Sequence, residues 1–200
     1  MISDGPSATP HTFIVHVEDH PGVLNRVVSL FRRRACNIDS LAVGRSEQPG
    51  VSRITLVVRA DAGSAARLVL HLYKIVDVLQ VSDVTSAKAV IRELVFVKVA
   101  AAMRGELLQL CNVFRARVVD LCPASVTVEA TGTQDKMDGL VEALRPFGII
   151  ELVRTGAVAM TRGAQPAAAE SNSPGTRLDG VPRLDAEIEP PQYEPSQDEV

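Results

Sequence analysis

From residue 13 to residue 17, Phe13, Val15 and Val17 alternate with Ile14 and His16, the period-2 pattern of a strand buried mainly on one face. The period then changes to that of a helix. Leu24, Val28 and Phe31 fall at i, i+4 and i+7, with Val23, Val27 and Leu30 widening the stripe. Arg32, Arg33 and Arg34 stand at its carboxyl end, where positive charge suits the helix dipole, so the triplet needs no partner to explain it. Residues 38–44 and 53–60 read as a hairpin across Glu47-Gln48-Pro49-Gly50, with Ile54, Leu56 and Val58 on one face. Leu68, Leu72 and Ile75 keep the helical period from about Ser64, and residues 76–83 return as a strand. The order is βαββαβ, which predicts two helices covering one face of a four-stranded antiparallel sheet and leaves the other face and an edge open to a partner.

The same order repeats with an offset of 83 residues, which sets Phe31, Arg32 and Arg34 against Phe114, Arg115 and Arg117. Residues 94–99 form the matching first strand, and Leu107, Cys111 and Phe114 the first helical stripe. A hairpin of 117–121 and 126–130 turns around Cys122-Pro123-Ala124-Ser125, Met137, Leu140 and Leu144 mark the last helix, and residues 149–158 close the unit as one strand. Beyond Gly163 the pattern stops. Residues 164–200 hold eight acidic and two basic side chains among prolines and isolated apolar residues, a composition that predicts a disordered tail. An inert tail is the leading reading there, with Leu184-Asp185-Ala186-Glu187-Ile188 as the one short segment suited to a partner. The expected organisation is α+β: two βαββαβ domains at 11–84 and 90–162, then the tail at 163–200.

Composition narrows the classes of function. The net charge is −3 over 200 residues, and with the acidic tail set aside the body is about +3, far from a nucleic-acid footprint. The βαββαβ order also occurs in RNA-binding domains, but the central strands here lack stacking aromatics. No apolar run approaches the roughly 18 residues of a membrane helix, and the amino terminus lacks the order of a signal peptide, so the expected location is cytoplasmic. Cys36, Cys111 and Cys122 are odd in number and have no Cys-x-x-Cys spacing, which predicts buried thiols rather than zinc or a disulfide framework. Nucleotide-loop and zinc-hydrolase motifs are absent, and none of His11, His16, His20 and His71 accompanies a recognisable nucleophile. Glu18 and Asp19 are adjacent, and neighbouring strand residues face opposite ways, which argues against a general acid–base pair.

The most informative stretch joins the first strand to the first helix: Val17-Glu18-Asp19-His20-Pro21-Gly22-Val23-Leu24. Pro21 suits the first helical turn, Gly22 lets a ligand approach the backbone, and the amides of Gly22, Val23 and Leu24 point outward as donors for a carboxylate. Asp19 beside them suits an ammonium group, so the site fits a free amino acid, with His20 as a loop residue near it. Taken alone, Asp-x-Pro-Gly at a helix start is more often simple capping. The second unit has no such motif.

The run from Val17 through Arg32-Arg33-Arg34-Ala35-Cys36-Asn37-Ile38-Asp39-Ser40-Leu41-Ala42-Val43 resembles the regulatory (small) subunit of acetolactate synthase, also called acetohydroxyacid synthase. The resemblance continues through Ser52-Arg53-Ile54-Thr55, residues 72–79 and residues 92–99, and closes at Arg154-Thr155-Gly156 and Thr161-Arg162-Gly163. It implies an amino-terminal ACT domain and a carboxyl-terminal domain, both ferredoxin-like, in a non-catalytic homodimer. Such a chain binds valine and regulates a separate large catalytic subunit in branched-chain amino-acid biosynthesis. Thiamine diphosphate, Mg and FAD are then expected only in that partner, with no cofactor or metal in this chain. By the family pattern the valine pocket lies between two ACT domains, with Asp19, His20, Pro21, Gly22, Val23 and Leu24 holding the amino-acid backbone and Asn37 and Ile38 coming from the paired protomer. Ala35 and Cys36 stand where the family usually has a glycine followed by an aromatic residue, so the helix exit is expected to differ and the pocket to lose a ring. Two alternatives stay open: an activating subunit that no longer senses valine, and a free-standing amino-acid sensor acting on another partner.

Overall fold

The computed structural model describes residues 8–163; the predicted tail therefore lies outside the described residues. Two antiparallel sheets each carry two helices. The first unit runs β1 (Thr9–Glu18), α1 (Val23–Arg33), β2 (Ile38–Arg45), β3 (Val51–Ala60), α2 (Ala62–Leu72) and β4 (Val78–Asp83), with sheet order β2-β3-β1-β4. The second runs β5 (Ala89–Ala100), α3 (Arg104–Phe114), β6 (Arg117–Leu121), β7 (Ser125–Gly132), α4 (Gln134–Leu144) and β8 (Ile149–Arg154), ordered β6-β7-β5-β8, with β9 (Val158–Thr161) paired to β5. Both are ferredoxin-like, as the alternation predicts.

Periodicity explains the cores. Phe13, Val15 and Val17 point to the helices with Ile54, Leu56 and Val58, against Val23, Val27, Leu30 and Phe31 of α1 and Leu68 and Leu72 of α2. The α1 stripe is rotated from the expected one: Val23, Val27, Leu30 and Phe31 are buried, Val28 is half-buried, and Leu24 is 40% exposed. In the second unit Val95, Val97 and Val99 pack on Leu107, Cys111, Met137, Leu140 and Leu144. Asp61 caps α2 by accepting from the Ser64 amide at 2.9 Å, which satisfies one of the orphan donors of the first turn.

Several expectations are corrected. Ile14 is fully buried, because Val84 and Ala159, with Ala87, Ala89 and Ile91 beside them, cover the opposite face of β1. The first sheet's second face is thus partly closed by the chain itself. The expected strand 149–158 breaks at Thr155-Gly156-Ala157 into β8 and β9. The break lets Ala157 N–H donate to Ser40 Oγ at 2.7 Å, and a Cβ on Gly156 would lie 2.6 Å from that same oxygen. Residues 76 and 77 precede β4 rather than joining it. Cys36 and Cys111 are buried, but Cys122 is exposed.

The 83-residue offset is also corrected. Ala35 has φ 52, with Ala35 N–H donating to Arg32 O and Cys36 N–H to Phe31 O, each at 3.1 Å, which is the bond pair of a Schellman cap. Arg115, with φ 51, closes α3 the same way, through Arg115 N–H to Asn112 O and Ala116 N–H to Cys111 O. Phe31 and Cys111 are therefore the equivalent positions. The exit turn expected to differ keeps its left-handed residue although that residue is alanine, since the two bonds and the burial of Cys36 offset a strain of about 1 kcal/mol.

Candidate functional site

The segment between β1 and α1 is held at both ends. Asp19 N–H donates to Gly50 O at 2.8 Å, and the Asp19 carboxylate accepts from Ser52 Oγ at 3.0 Å through Oδ1, so the loop is fastened to the β2–β3 turn. His20 O accepts from Val23 N–H at 3.5 Å, and Gly22 has φ 92 and ψ −15, the third-residue geometry of a type II turn with Pro21 before it. Pro21 therefore precedes the helix instead of opening it, and the left-handed Gly22 is the N-cap. The Val23 amide is spent on the turn. The amides of Gly22 and Leu24 have no acceptor among the described residues, and no acidic side chain occupies the first turn of α1. Of the three amides expected as donors, those of Gly22, Val23 and Leu24, two are left.

Beneath the loop lies a charged cluster that residue spacing did not reveal. Asp77, 4% exposed, is bridged by Arg26 from α1 and by His20 Nε2 at 3.1 Å, while Glu18 lies 3.2 Å from the same nitrogen. Burial by itself would raise the Asp77 carboxyl, but the Arg26 hydrogen bond and charge, with those of His20, outweigh it and hold it below its ordinary value. His20 Nδ1 lies 3.2 Å from Pro21 O. That contact raises the imidazole above its ordinary value against partial desolvation, and Asp77 and Glu18 add to it. Both ring nitrogens thus face acceptors, which suits the doubly protonated imidazolium. Glu18, His20 and Asp77 are close enough to hold a cation, but the Arg26 guanidinium already occupies an Asp77 oxygen, so an ion-pair network accounts for the cluster. Only the turn's own fold reveals Arg26 and Asp77, which are 51 residues apart in the chain.

Asn37 and Ile38 lie elsewhere. They follow the carboxyl end of α1, a helix of 11 residues, about 16 Å from the Gly22 turn along its axis. Asn37 is exposed and its amide donates to Asp39 at 3.5 Å, while Ile38 is half-buried against the first core. Within one chain they do not meet Asp19, His20, Pro21, Gly22, Val23 and Leu24. Two clefts among the described residues also lie away from the turn. One of about 370 Å³ lies between the units, lined by Ser40, Glu93, Arg154 and Gly156 among others. The other, of about 350 Å³, lies between β2 and β9.

Comparison with known proteins decides the family. Residues 13–80 match the AHAS small subunit-like ACT domain, and residues 92–163 match the family described as the small subunit of acetolactate synthase. A probable acetolactate synthase small subunit of Methanothermobacter thermautotrophicus is 46% identical over 161 residues, 78% of this chain and 96% of that protein. The chain belongs to the acetolactate synthase small-subunit family. The small subunit of Mycolicibacterium smegmatis is 44% identical over 160 residues, covering 78% of this chain and 94% of that one. The crystal structure of the acetolactate synthase small subunit of Thermotoga maritima superposes with a TM-score of 0.73 at 32% identity, over 78% of this chain and 99% of that one. The regulatory ACT unit of this small-subunit family is thus the part that carries the Gly22 turn, and no helix among the described residues is long and apolar enough to cross a membrane.

Proposed function

We propose that this chain is the regulatory subunit of acetolactate synthase, a cytoplasmic homodimer that activates a large catalytic subunit and withdraws the activation when valine binds. The partner would use thiamine diphosphate, with Mg and FAD, to condense two pyruvates into 2-acetolactate with release of CO₂; this chain would supply none of those groups. The observation that most supports the ligand assignment is the Gly22 turn, which leaves the Gly22 and Leu24 amides as paired donors at a helix N-terminus.

In this reading the valine carboxylate accepts from those two amides. Its ammonium group approaches Asp19 Oδ2, the carboxylate oxygen not used by Ser52. Asn37 and Ile38 of the partner subunit complete the site across the twofold axis, which accounts for their separation from the turn within one protomer. Valine must then prefer one arrangement of the dimer, since a ligand with equal affinity for both shifts nothing. A coupling of about 1–3 kcal/mol suffices for graded inhibition.

The test is acetolactate production by the purified cognate large subunit, with and without this chain, over a valine titration. Activation reversed by valine supports the whole reading. Activation indifferent to valine removes the sensing role, and a competent large subunit that is not activated leaves a free-standing sensor. Asn37→Ala is expected to weaken inhibition while sparing activation.

A further inference from the structure

The groove between β2 and β9 has a composition that nothing in the valine site requires. Its floor is apolar, formed by Ala42, Val43, Val90, Val158, Ala159 and Met160, and its walls carry Arg45, Arg53 and Arg92. Val43, Val158 and Met160 are 49%, 52% and 67% exposed. Arg26, Arg59, Arg117, Arg145 and Arg154 each pair with a carboxylate, but among the described residues none of the three groove arginines makes an ion pair. Arg53 donates to Ala159 O at 2.6 Å and so holds the groove's two walls together, and Arg92 donates to Ile91 O at 2.7 Å. Arginines that make no ion pair among the described residues, set around an exposed apolar floor, fit an extended segment with alternating apolar and acidic side chains.

The chain contains such a segment. Leu184, Ala186 and Ile188 alternate with Asp185, Glu187 and Glu189, so in an extended conformation the apolar side chains share one face and the acids the other. The strand that lines the groove, β9, ends at Thr161, and the tail follows directly. The roughly 20 residues between Gly163 and Leu184 would span about 25 Å as a flexible linker, enough to bring the segment back over β9. The matched family region ends at residue 163, so the tail lies beyond it.

We propose that residues 184–189 of this chain dock in the β2–β9 groove, with Leu184, Ala186 and Ile188 on its floor and Asp185, Glu187 and Glu189 toward Arg45 and Arg92. The segment covers the exposed floor and presses on the ribbon that joins the two units. This interaction stands apart from the valine reading.

The experiment is amide hydrogen exchange on the full chain, compared with a chain carrying Asp185→Lys, Glu187→Lys and Glu189→Lys, substitutions outside the folded body. The β2 and β9 amides are expected to exchange about tenfold faster in the reversed chain, the scale of several partly exposed ion pairs lost together. Adding Arg45→Glu and Arg92→Glu should restore the protection. Equal exchange in the two chains overturns the proposal. Protection that fades on dilution in both would instead place a second copy in the groove, and unprotected amides in both would leave it open. The valine titration is scored separately, so either reading can fail alone.

Discussion

The two units share strand order, helix placement and even a strained helix exit, yet only the first enters its helix through a Pro-Gly turn. In the first, Gly22 turns the chain after Pro21 and leaves two amides free at the start of α1. In the second, β5 runs through a short 3-10 turn, Ala101–Met103, into α3, and the N-cap Met103 has neither a left-handed backbone nor a capping bond. Arg104 then reaches from the first turn to the carbonyls of Cys122 and Pro123. The first turn of α3 thus carries Arg104 and Glu106, where that of α1 opens with Val23, Leu24 and Asn25. The same topology therefore serves two different helix entries, and the residues of each loop decide which one forms.

The core offers the largest contrast to break. Phe31 and Cys111 occupy equivalent cap positions and are both buried, but they fill very different volumes. Phe31→Ala is expected to cost about 3–5 kcal/mol in urea unfolding, and Cys111→Ala only about 1 kcal/mol. Equal losses would show that the two caps are not packed as equivalents.

At the turns, Gly22→Asp should raise the valine needed for half-inhibition at least about tenfold, a loss of roughly 1.4 kcal/mol of binding, while leaving activation intact. A Cβ there meets nothing within 4 Å, so the effect comes from φ 92 and from a second negative charge facing the carboxylate. Gly105→Asp, in the first turn of α3 and equally open, should leave the valine response unchanged in the same assay. A fully valine-sensitive Gly22→Asp chain would mean that the ligand sits elsewhere.

A smaller effect tests the shared exits. Ala35→Gly and Arg115→Gly should each stabilise by about 0.5–1 kcal/mol in thermal unfolding, as relief of the left-handed strain exceeds the entropy of added glycine. The smallest effect concerns pH. His20 is raised above 6.5 in the folded loop, so the stabilisation due to its imidazolium is complete below the unfolded value and is lost as pH rises through the higher folded one. Valine affinity measured by calorimetry between pH 5 and 9 should weaken on the alkaline side, and His20→Gln should flatten that profile.

The repeated alternation of periods 2 and 3.6 made the architecture legible, because each element buries one face against its own unit. Ile14 escaped that logic. Its burial depends on Val84 and Ala159, residues that return from the linker and from β9, and no local period encodes such a return. Leu24 fits the helical stripe by its apolarity, but Val23 faces the core after the left-handed Gly22 and Leu24 is turned outward. The Gly22 turn was visible as Pro-Gly after a strand. Its support by Asp77 and Arg26 was not, since an ion pair between distant elements leaves no local signature. Alanine at position 35 argued against a left-handed exit on propensity alone, and the paired Schellman bonds override that preference.

β5 has a mechanical meaning beyond its place in the second core. Its Ala89–Arg92 end pairs with β9, and Ile91 with Ala159 packs toward Ile14 of the first sheet, whereas its Glu93–Ala100 portion is a central strand of the second sheet. One continuous strand is therefore common property of two layers, and strands resist stretching far more than loops do. The hinge between the units is thus a hydrogen-bonded ribbon, splinted by β9 up to Arg92 and by β7 from Glu93, and not a free loop.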